Sequence, residues 1–383
     1  MASEHDDQLG QKEVGIEAFD QLPSDFSATE KPSLPDNKHY PETSEARRQE
    51  STAEHSLDQD LHLAEKIFGH DGTKHQETLP STETVLYLAY GSNMCSSTFN
   101  GMRGIKPLSQ TNVLVPELRL SFDQPGVPYS EPCFAATQYR EVPGEGCEDN
   151  DVAEEKISEK APLMQQGRCQ YHKDRWNKPL VGVVYEVTLT DYARMIATEG
   201  GGHGYREIVV DCYPFPEPYN AADPVPDQPT TKPFKVHSLL SPAANEAGSR
   251  TASHASIAYN KLAGSNFGTS YAQPSARYLN LLITGAAEHN LPISYQTYLS
   301  RIRPYRITTT RQRIGKFLFR GFWRPIFLKS LQLSSRYAGE DGRSPPWVLA
   351  IAQMVTVAMW GSYDLIFRWI FGDGERTIED TVD

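Results

Sequence analysis

The stretch Val85-Leu-Tyr-Leu-Ala-Tyr90 runs directly into Gly91-Ser-Asn93. Its six apolar and aromatic residues have the length and composition of a buried β-strand, and the three residues after them favour a tight turn. A strand that ends in such a turn brings several backbone N–H groups to one concave surface, where they can bind a carboxylate or an oxyanion. The glycine allows either a positive φ or a close approach of neighbouring atoms. On these residues alone, an ordinary turn that closes a buried strand is the simpler interpretation.

Further strands and helices are predicted along the chain. Apolar and β-branched runs predict strands at 113–115, 118–122, 134–138, 180–187, 208–213 and 236–240. Capping residues and apolar positions at helical spacing predict helices at 190–198, 275–289 and 294–302. The first of these helices is expected to use Thr190 as its N-cap. No internal repeat is visible in the sequence.

Three segments lack the pattern of a packed element. Residues 1–83 hold 7 Lys and Arg against 19 Asp and Glu, and so account for the whole net charge of −12. Their apolar residues are scattered, so little surface is available to offset the entropy of ordering, and we predict a disordered acidic leader without a secretory signal. An acidic run near 141–175 and a Ser/Ala/Asn-rich stretch near 241–270 are predicted to be insertions.

Composition argues against two classes of site. The charges after residue 83 balance, so the sequence predicts no basic surface for nucleic acid. The five cysteines are dispersed and odd in number, and no CxxC pair or His/Cys spacing typical of a metal site occurs among them. We therefore interpret them as reduced thiols of a domain that faces the cytosol, with no metal and no nucleic-acid partner.

Glu199 is the carboxylate that the sequence places best for chemistry. It ends the first predicted helix and precedes three glycines, so backbone can approach it closely. If the side chain is enclosed, desolvation raises its pKa and suits it to proton transfer near neutral pH. A solvated carboxylate at a helix end is the simpler alternative. Asp191, Glu186 and Glu207 are rival carboxylates that are more easily explained as cap or solvated residues, and His203 fits either a base or a loop histidine.

Two other catalytic patterns are incomplete. Ser92 lacks the G-x-S-x-G context of a nucleophile, and no spacing identifies a histidine partner for it. The glycine-rich run at 200–204 lacks the lysine and the preceding strand of a phosphate-binding loop. A serine hydrolase and a nucleotide site are therefore not predicted.

Three motifs, in this order, resemble those of the γ-glutamylcyclotransferases. Tyr87-Leu-Ala-Tyr-Gly-Ser-Asn-Met94 resembles their substrate loop. Gly182-Val-Val-Tyr185 with Ala197-Thr-Glu-Gly200 resembles the strand and helix that lead to their catalytic glutamate. The segments 274–279 and 285–296 resemble their closing helix pair. The complete set looks most like the fungal branch, some members of which accompany gene clusters for sulfur-containing secondary metabolites.

The resemblance covers residues 84–305 apart from the two insertions. It implies an α+β fold, in which a mixed sheet closes into a small barrel with flanking helices. It also implies a small-molecule γ-glutamyl substrate and neither a metal nor an organic cofactor. Glu199 would take a proton from the substrate's α-amine, which attacks the γ-carbonyl, and would return it to the departing amine, giving 5-oxoproline. The residues implied in substrate binding are Tyr87, Leu88, Ala89, Tyr90, Gly91, Ser92, Asn93 and Tyr205.

One position departs from the family pattern. Many relatives place a tyrosine on the strand after the catalytic segment, where this chain has Leu239; Tyr205 or Tyr213 could replace it from a neighbouring strand. The departure puts the identity of the substrate in doubt, but not the lactam-forming step. Together with the insertions, it also motivates a different hypothesis, a non-catalytic, membrane-tethered binding module that keeps the fold and the pocket.

The C-terminal extension, residues 306–371, is basic and hydrophobic. The stretch 314–328 mixes aromatic residues with cations, as helices that lie in a membrane interface do. The stretch 347–367 holds a single charged residue, Asp364, and is long enough to span hydrocarbon. Because the basic stretch comes first, the positive-inside tendency predicts a catalytic domain on the cytoplasmic side. A helix pair packed on the domain and a purely interfacial helix are alternatives, and residues 372–383 are predicted to be a loose polar tail.

Overall fold

A computed structural model describes residues 40–55, 84–140, 176–198, 206–240, 272–337, 339 and 344–378 of the 383-residue chain. The strands are β1 Thr84–Ala89, β2 Ser109–Val115, β3 Leu118–Val127, β4 Glu131–Tyr139, β5 Leu180–Thr188, β6 Arg206–Pro214 and β7 Phe234–Leu240. The helices are α1 Glu45–His55, α2 Leu189–Thr198, α3 Ala276–Glu288, α4 Ile293–Arg301, α5 Thr310–Tyr337, α6 Pro346–Ser362 and α7 Arg368–Phe371. A 3-10 turn covers Ser92–Met94, and π turns cover Ser97–Met102 and Tyr363–Phe367. The two predicted insertions lie outside the described residues.

Five of the strands close into a barrel in the order β1-β5-β2-β6-β7. Neighbours in this order are antiparallel, and a parallel pairing of β7 with β1, at His237 and Tyr87, closes the ring. Nearly every residue of β1 and β5 is buried, because one face of each strand lines the barrel and flanking elements such as α2 cover the other. The α+β prediction, with a mixed sheet closed into a small barrel and helices around it, is confirmed.

The remaining strands, β3 and β4, form a separate antiparallel hairpin. The turn between them contains Tyr129, whose φ of 62° lies in the left-handed region. The ring of Tyr129 is buried against Phe319 and Tyr363, with centroids 5.9 and 5.6 Å apart. This turn therefore joins the barrel region to the C-terminal helices.

The acidic leader is ordered in part. Glu42 pairs with Gln110 at β2, and α1 follows directly. Arg47 of α1 donates to the carbonyl oxygen of Thr84 at 3.0 Å and to its hydroxyl at 3.2 Å. The prediction of disorder is therefore wrong for residues 40–55, because polar contacts with the barrel hold this segment where apolar burial is scarce. The rest of the leader lies outside the described residues.

The first predicted helix is confirmed as α2, but its cap is a different residue. The amide of Asp191 donates to the hydroxyl of Thr188 at 3.1 Å. Thr188 therefore caps the helix, and the prediction of Thr190 as N-cap is wrong. The helix begins one residue earlier than predicted as a consequence.

The C-terminal extension forms a helical hairpin, which we call the C-terminal hairpin. Its first arm is α5, and its second arm is the continuous helix Pro346–Phe371, formed by α6, a π turn and α7. Phe319 contacts Phe367 at one end and Tyr337 contacts Trp347 at the other, each with ring centroids 5.0 Å apart, so the arms are antiparallel. Among the described residues, the second arm is the one helix long and apolar enough to cross a membrane by length and composition.

The segment after the C-terminal hairpin packs back against the rest of the protein. The carbonyl oxygen of Gly374 accepts from the amide of Tyr129 at 2.8 Å, and that of Glu375 accepts from the amide of Gln273 at 2.9 Å. The amide of Thr377 donates to the side chain of Gln273 at 2.7 Å. The prediction of a loose tail is therefore wrong for residues 372–378, which are tied by backbone groups that composition does not reveal.

Candidate active site

The turn after β1 is fixed by two buried side chains. The hydroxyl of Tyr90 donates to the carbonyl oxygen of Leu239 on β7 at 2.5 Å. The side-chain amide of Asn93 donates to the hydroxyl of Tyr87 at 2.9 Å. The side chains of Tyr87, Tyr90 and Asn93 are all buried, so the turn has few alternative conformations. The structure thus brings the predicted residues of this segment into one continuous, rigid stretch.

Two backbone amides of the turn are available to a ligand. The amide of Met94 donates to the carbonyl of Gly91 at 3.1 Å, and that of Cys95 donates to the carbonyl of Ser92 at 3.0 Å. Within the described part of the chain, no acceptor pairs with the amides of Gly91 and Ser92 themselves. Both residues are half-buried. A carboxylate or a developing oxyanion is the kind of group that such a pair of amides binds.

Helix α3 packs closely on this turn. A β-carbon at Gly285 would lie 2.7 Å from the carbonyl carbon of Met94 and 2.8 Å from the amide nitrogen of Cys95, so only glycine fits there. A β-carbon at Gly91 would lie 3.3 Å from the hydroxyl of Tyr278 on the same helix. Because the φ of Gly91 is −111°, this glycine serves a close approach and not a positive φ.

The end of α3 also holds the chain beyond the turn. The carboxylate of Glu288 accepts from the amide and the hydroxyl of Ser96 at 2.7 and 2.9 Å. Nε2 of His289 lies 3.0 Å from the carbonyl oxygen of Met94 and 2.7 Å from the hydroxyl of Tyr185. Burial raises the pKa of Tyr185, so its phenol stays protonated at neutral pH. The closing helix therefore adds a second set of contacts that fix the turn, besides the one with β7.

A polar cluster, formed by Tyr192, Glu207 and His237, lies beside β1. The hydroxyl of Tyr192 donates to Oε1 of Glu207 at 2.8 Å, and Nδ1 of His237 lies 2.9 Å from the same oxygen. Because a carboxylate only accepts, Nδ1 carries the proton. The ring of Tyr192 lies 6.2 Å from that of Tyr87 and 5.8 Å from that of His237. The Tyr192–Glu207–His237 cluster thus contacts the strand that leads into the turn.

Sequence reasoning missed this cluster. Glu207 was expected to be a cap or solvated residue, and that expectation is wrong because the carboxylate accepts from two buried partners. The one signal was His237, a histidine within a predicted strand, since a buried polar side chain needs a partner. Its partner lies on β6, and only the register of these two strands brings the two residues together.

The predicted acid/base, Glu199, lies outside the described residues, as do Tyr205 and His203. The helix before it is described to its end, and Thr198 directly precedes Glu199. That helix, α2, packs against β1 through the contact between Tyr192 and Tyr87. The chain therefore approaches position 199 from a helix that is attached to the strand of the turn.

Leu239 lies beside the turn, since its carbonyl accepts from Tyr90, and its side chain is buried. It pairs with Glu207 across β6 and β7. Tyr213 sits at the opposite end of β6, where it pairs with Leu114, and six residues of strand span about 20 Å. The expectation that Tyr213 could replace the family tyrosine is therefore wrong.

The other rival carboxylates serve the scaffold. Glu186 accepts from the hydroxyls of Thr84 and Ser109 at 2.9 and 2.7 Å, at the end of β1 that is far from the turn. Asp191 lies 3.4 Å from Arg194 in the first two turns of α2. Across the described ranges, no group of three or more His, Cys, Asp or Glu residues is placed to hold a metal ion.

The chain is similar to several fungal proteins. It is 30% identical over 298 residues to the protein named gamma-glutamyl cyclotransferase aclK of Aspergillus oryzae, a match that covers 76% of this chain and 90% of that protein. It is 27% identical over 292 residues to gamma-glutamyl cyclotransferase gliK of Aspergillus fumigatus, with 76% and 89% covered. These matches extend over nearly the whole length of both relatives.

Two further comparisons concern a part of the chain and its fold. The family described as AclK C-terminal domain matches residues 309–370, which form the C-terminal hairpin. A solved structure named gamma-glutamyl cyclotransferase shares 18% identity with this chain, with a TM-score of 0.35 and coverage of 60% of this chain and 93% of that one.

Proposed function

Because this chain belongs to the γ-glutamyl cyclotransferase family, we propose that it releases 5-oxoproline from a γ-glutamyl amino acid or peptide. The α-amine of the substrate attacks its own γ-carbonyl, so both reacting groups already belong to one molecule. The protein then has three tasks. It must orient the substrate, stabilise the negative charge that develops on the γ-carbonyl oxygen, and move one proton.

Glu199 is proposed to move that proton. Its carboxylate takes a proton from the α-amine as the bond between the amine nitrogen and the γ-carbon forms. The bond from the γ-carbon to the departing amine then breaks, and Glu199 returns the proton to that amine. The products are the five-membered lactam 5-oxoproline and a free amino acid or a related amine. A proton shuttle of this kind contributes about 10²–10⁴-fold to a rate.

The observation that carries this proposal is the pair of available amides at Gly91 and Ser92. Both residues are half-buried, and the turn that presents their N–H groups is fixed by Tyr90 and by α3. Such preorganised donors stabilise an oxyanion without a further cost of reorganisation at the moment of reaction. We assign to them the γ-glutamyl group of the substrate, either at its carboxylate or at its reacting carbonyl.

The Tyr192–Glu207–His237 cluster is proposed to position the two halves of this site. It connects α2, which leads to Glu199, with β7, which closes the barrel next to β1. A charged hydrogen-bonding group that holds two elements together fixes their spacing more firmly than apolar contact alone. The distance between the proton shuttle and the amide pair would then depend on Glu207.

The test uses the full-length protein with a panel of γ-glutamyl amino acids, glutathione and γ-glutamylated metabolites, with 5-oxoproline followed by mass spectrometry. Glu199→Gln is expected to lower the rate by at least about 10²-fold, with an unchanged melting temperature. Glu117→Gln, at an exposed position in the turn between β2 and β3, is the matched control and is expected to keep full activity. Turnover at the parental rate in Glu199→Gln would overturn the assignment.

The second candidate is a non-catalytic binding module with the same pocket. The observation in its favour is Leu239, an apolar residue beside the turn where the family pattern has a tyrosine. A module of this kind would be stabilised against heat by a γ-glutamyl ligand, yet would release no 5-oxoproline from any member of the panel. The same samples therefore distinguish the two candidates.

The division of the chain is also proposed. We place the catalytic domain at residues 84–305 and add the segment 40–55, because α1 contacts the barrel. We further propose that residues 306–371 associate with a membrane and leave the catalytic domain on its cytoplasmic side. The apolar helix Pro346–Phe371 supports the association, and the cations that precede it support the cytoplasmic side, because the cytoplasmic leaflet carries the anionic lipids.

A further inference from the structure

The two arms of the C-terminal hairpin begin and end at the same place on the protein. At the base, the side-chain amide of Gln312 donates to the carbonyl of Asp373 at 2.7 Å, so the start of α5 and the end of the second arm are tied together. In the middle, the indole of Trp323 donates to the hydroxyl of Ser362 at 2.9 Å. The connection between the arms is therefore the tip of the C-terminal hairpin, farthest from this base.

The second arm exposes an uncharged stripe along its length. Its members follow one another at a spacing of three or four residues, with one two-turn step, and lie on one face of the helix. They are Trp347, Ala350, Met354, Ala358, Leu365 and Trp369. Leu365 is 72% exposed and Trp369 80% exposed. The stripe is about 33 Å long. Its apolar side chains therefore form a continuous surface, whereas single exposed residues scattered over a protein do not.

The first arm adds apolar side chains and many cations. Phe317, near the base, is 78% exposed, and Phe322 is 60% exposed. Over its whole length α5 contains seven Lys or Arg residues and neither Asp nor Glu. Arg320 and Arg324 lie within one turn of Trp323, the residue that contacts the middle of the second arm. The cations of α5 are thus distributed along the whole length of the second arm.

This arrangement conflicts with a second arm that crosses a membrane. If the helix Pro346–Phe371 spanned the bilayer, α5 would have to accompany it, and Arg320, Arg324 and Lys329 would enter the hydrocarbon. Lysine and arginine are costly there, unless they reach the interface or a partner. A hairpin that lies flat avoids this cost, since its apolar stripe enters the acyl chains and its cations stay among the lipid headgroups.

We infer that the C-terminal hairpin lies in the plane of an anionic membrane surface and does not cross the bilayer. This inference rests on the membrane association proposed above and concerns its mode and its lipid. The positive charge of α5 indicates which kind of partner covers the apolar stripe. Seven cations without an acid complement anionic headgroups, whereas a second copy of the same surface would bring like charges together.

Binding is tested by flotation of the full-length protein with vesicles of phosphatidylcholine alone or with added phosphatidylserine. We expect binding to the anionic vesicles, with a loss of at least about tenfold in neutral vesicles or in high salt. The double variant Phe317→Ser/Trp369→Ser is expected to lose binding by a similar factor. The matched control is Leu108→Ser/Tyr139→Ser, which removes two exposed apolar residues of the barrel region and should bind as the parent does.

The mode of binding is tested with Gly339→Cys, at the exposed tip of the hairpin, in a Cys147→Ser/Cys169→Ser background. The three remaining cysteines are buried. A thiol at the tip should react with a membrane-impermeant maleimide on intact, protein-bound vesicles as fast as in free protein.

Each outcome decides one statement. Protection of the tip thiol, with binding intact, would overturn the in-plane mode and leave membrane association standing. Equal binding to neutral and anionic vesicles at all salt concentrations would overturn the role of the cations. No binding to any vesicle, with a dimer in analytical ultracentrifugation that the double variant abolishes, would overturn both and assign the stripe to a second copy. Release of 5-oxoproline, measured on the same samples, reports separately on the proposed reaction.

Discussion

The barrel and the C-terminal hairpin use apolar side chains in opposite ways. The barrel strands β1 and β5 are almost completely buried, and the polar groups beside them are paired within the protein. The hairpin leaves Phe317, Leu365 and Trp369 largely exposed. Buried side chains hold atoms in fixed positions, as catalysis requires. Exposed apolar side chains provide a surface that a membrane or another protein can cover. Under the proposals above, chemistry and location belong to separate regions, so a change in one region should leave the readout of the other unaffected.

The largest effect is expected from a pair of helical glycines, one in each region. At Gly285 a β-carbon would lie within 2.8 Å of backbone atoms of Met94 and Cys95, which cannot move without displacing the turn. We expect Gly285→Ala to lower the free energy of unfolding by about 2–3 kcal/mol and 5-oxoproline release by more than about tenfold. Urea denaturation and steady-state kinetics measure the two effects, and vesicle binding should not change.

The matched variant is Gly361→Ala in the C-terminal hairpin. A β-carbon at Gly361 would have no atom within 4 Å. The substitution should stabilise the helix by up to about 1 kcal/mol, because alanine has the higher helix propensity, and it should leave turnover unchanged. If the two alanines had the same effect on stability, the contrast between a closely packed and an open region would be wrong.

The next effect concerns Glu375, in the segment that joins the two regions. Burial raises the pKa of this carboxyl to about 7, and nearby Asp373 and Asp364 act in the same direction, while Arg368 and a hydrogen bond with Tyr363 oppose it. A pKa raised in the folded state means that the folded protein holds the proton more strongly than the unfolded chain does. The contribution to stability is therefore fully present below about pH 4.5 and is lost as pH rises to about 7.

Glu375→Gln removes this dependence. We expect the variant to exceed the parent by about 1–3 kcal/mol in the free energy of unfolding at pH 8, with the difference vanishing near pH 4.5. Urea titrations at a series of pH values measure it. Glu117→Gln, whose side chain is exposed, should follow the parental curve throughout. A constant difference between Glu375→Gln and the parent from pH 4.5 to pH 8 would contradict the shifted pKa.

A smaller effect is expected at the Tyr192–Glu207–His237 cluster, where α2 packs on the barrel strands. Glu207→Gln removes the negative charge of the carboxylate that accepts both hydrogen bonds. We expect kcat to fall by about tenfold and KM to change by less than about twofold, because the amide pair that holds the substrate is not altered. The matched control is Asp211→Asn, on the same strand but paired with Lys235, and it should keep the parental kcat. If Glu207→Gln kept the parental kcat, the cluster would have no role in positioning the site.

The sequence predicted those parts of the molecule that depend on local pattern. The strand β1 and the turn at Gly91–Asn93 were predicted because apolar runs and turn residues are contiguous in the chain. The helix α3 was predicted from its apolar spacing, and the structure shows that its N-cap is Ser275, whose hydroxyl accepts from the amide of Tyr278. Each of these elements is specified by residues close to one another in sequence.

The parts that were missed depend on pairs of residues far apart in the chain. Glu207 and His237 meet through the register of β6 and β7, and a slip of one residue would separate them. The segment 372–378 is held by amide and carbonyl groups, which every residue carries, so its sequence gives no sign of them. The contact of α1 with β1 is a third case, and it yields the smallest of the expected effects.

Arg47 tests whether polar contacts are sufficient to order the segment 40–55. Its guanidinium donates to Thr84 twice and lies 3.4 Å from Glu186, with only 11% of the side chain exposed. Arg47→Ala should lower the free energy of unfolding by about 1 kcal/mol and increase hydrogen exchange in α1, while turnover stays the same. The control is Arg48→Ala, whose guanidinium lies 3.7 Å from the exposed Glu42 and should contribute under about 0.5 kcal/mol. Equal effects of the two variants would mean that helix propensity, and not contact with the barrel, keeps α1 in place.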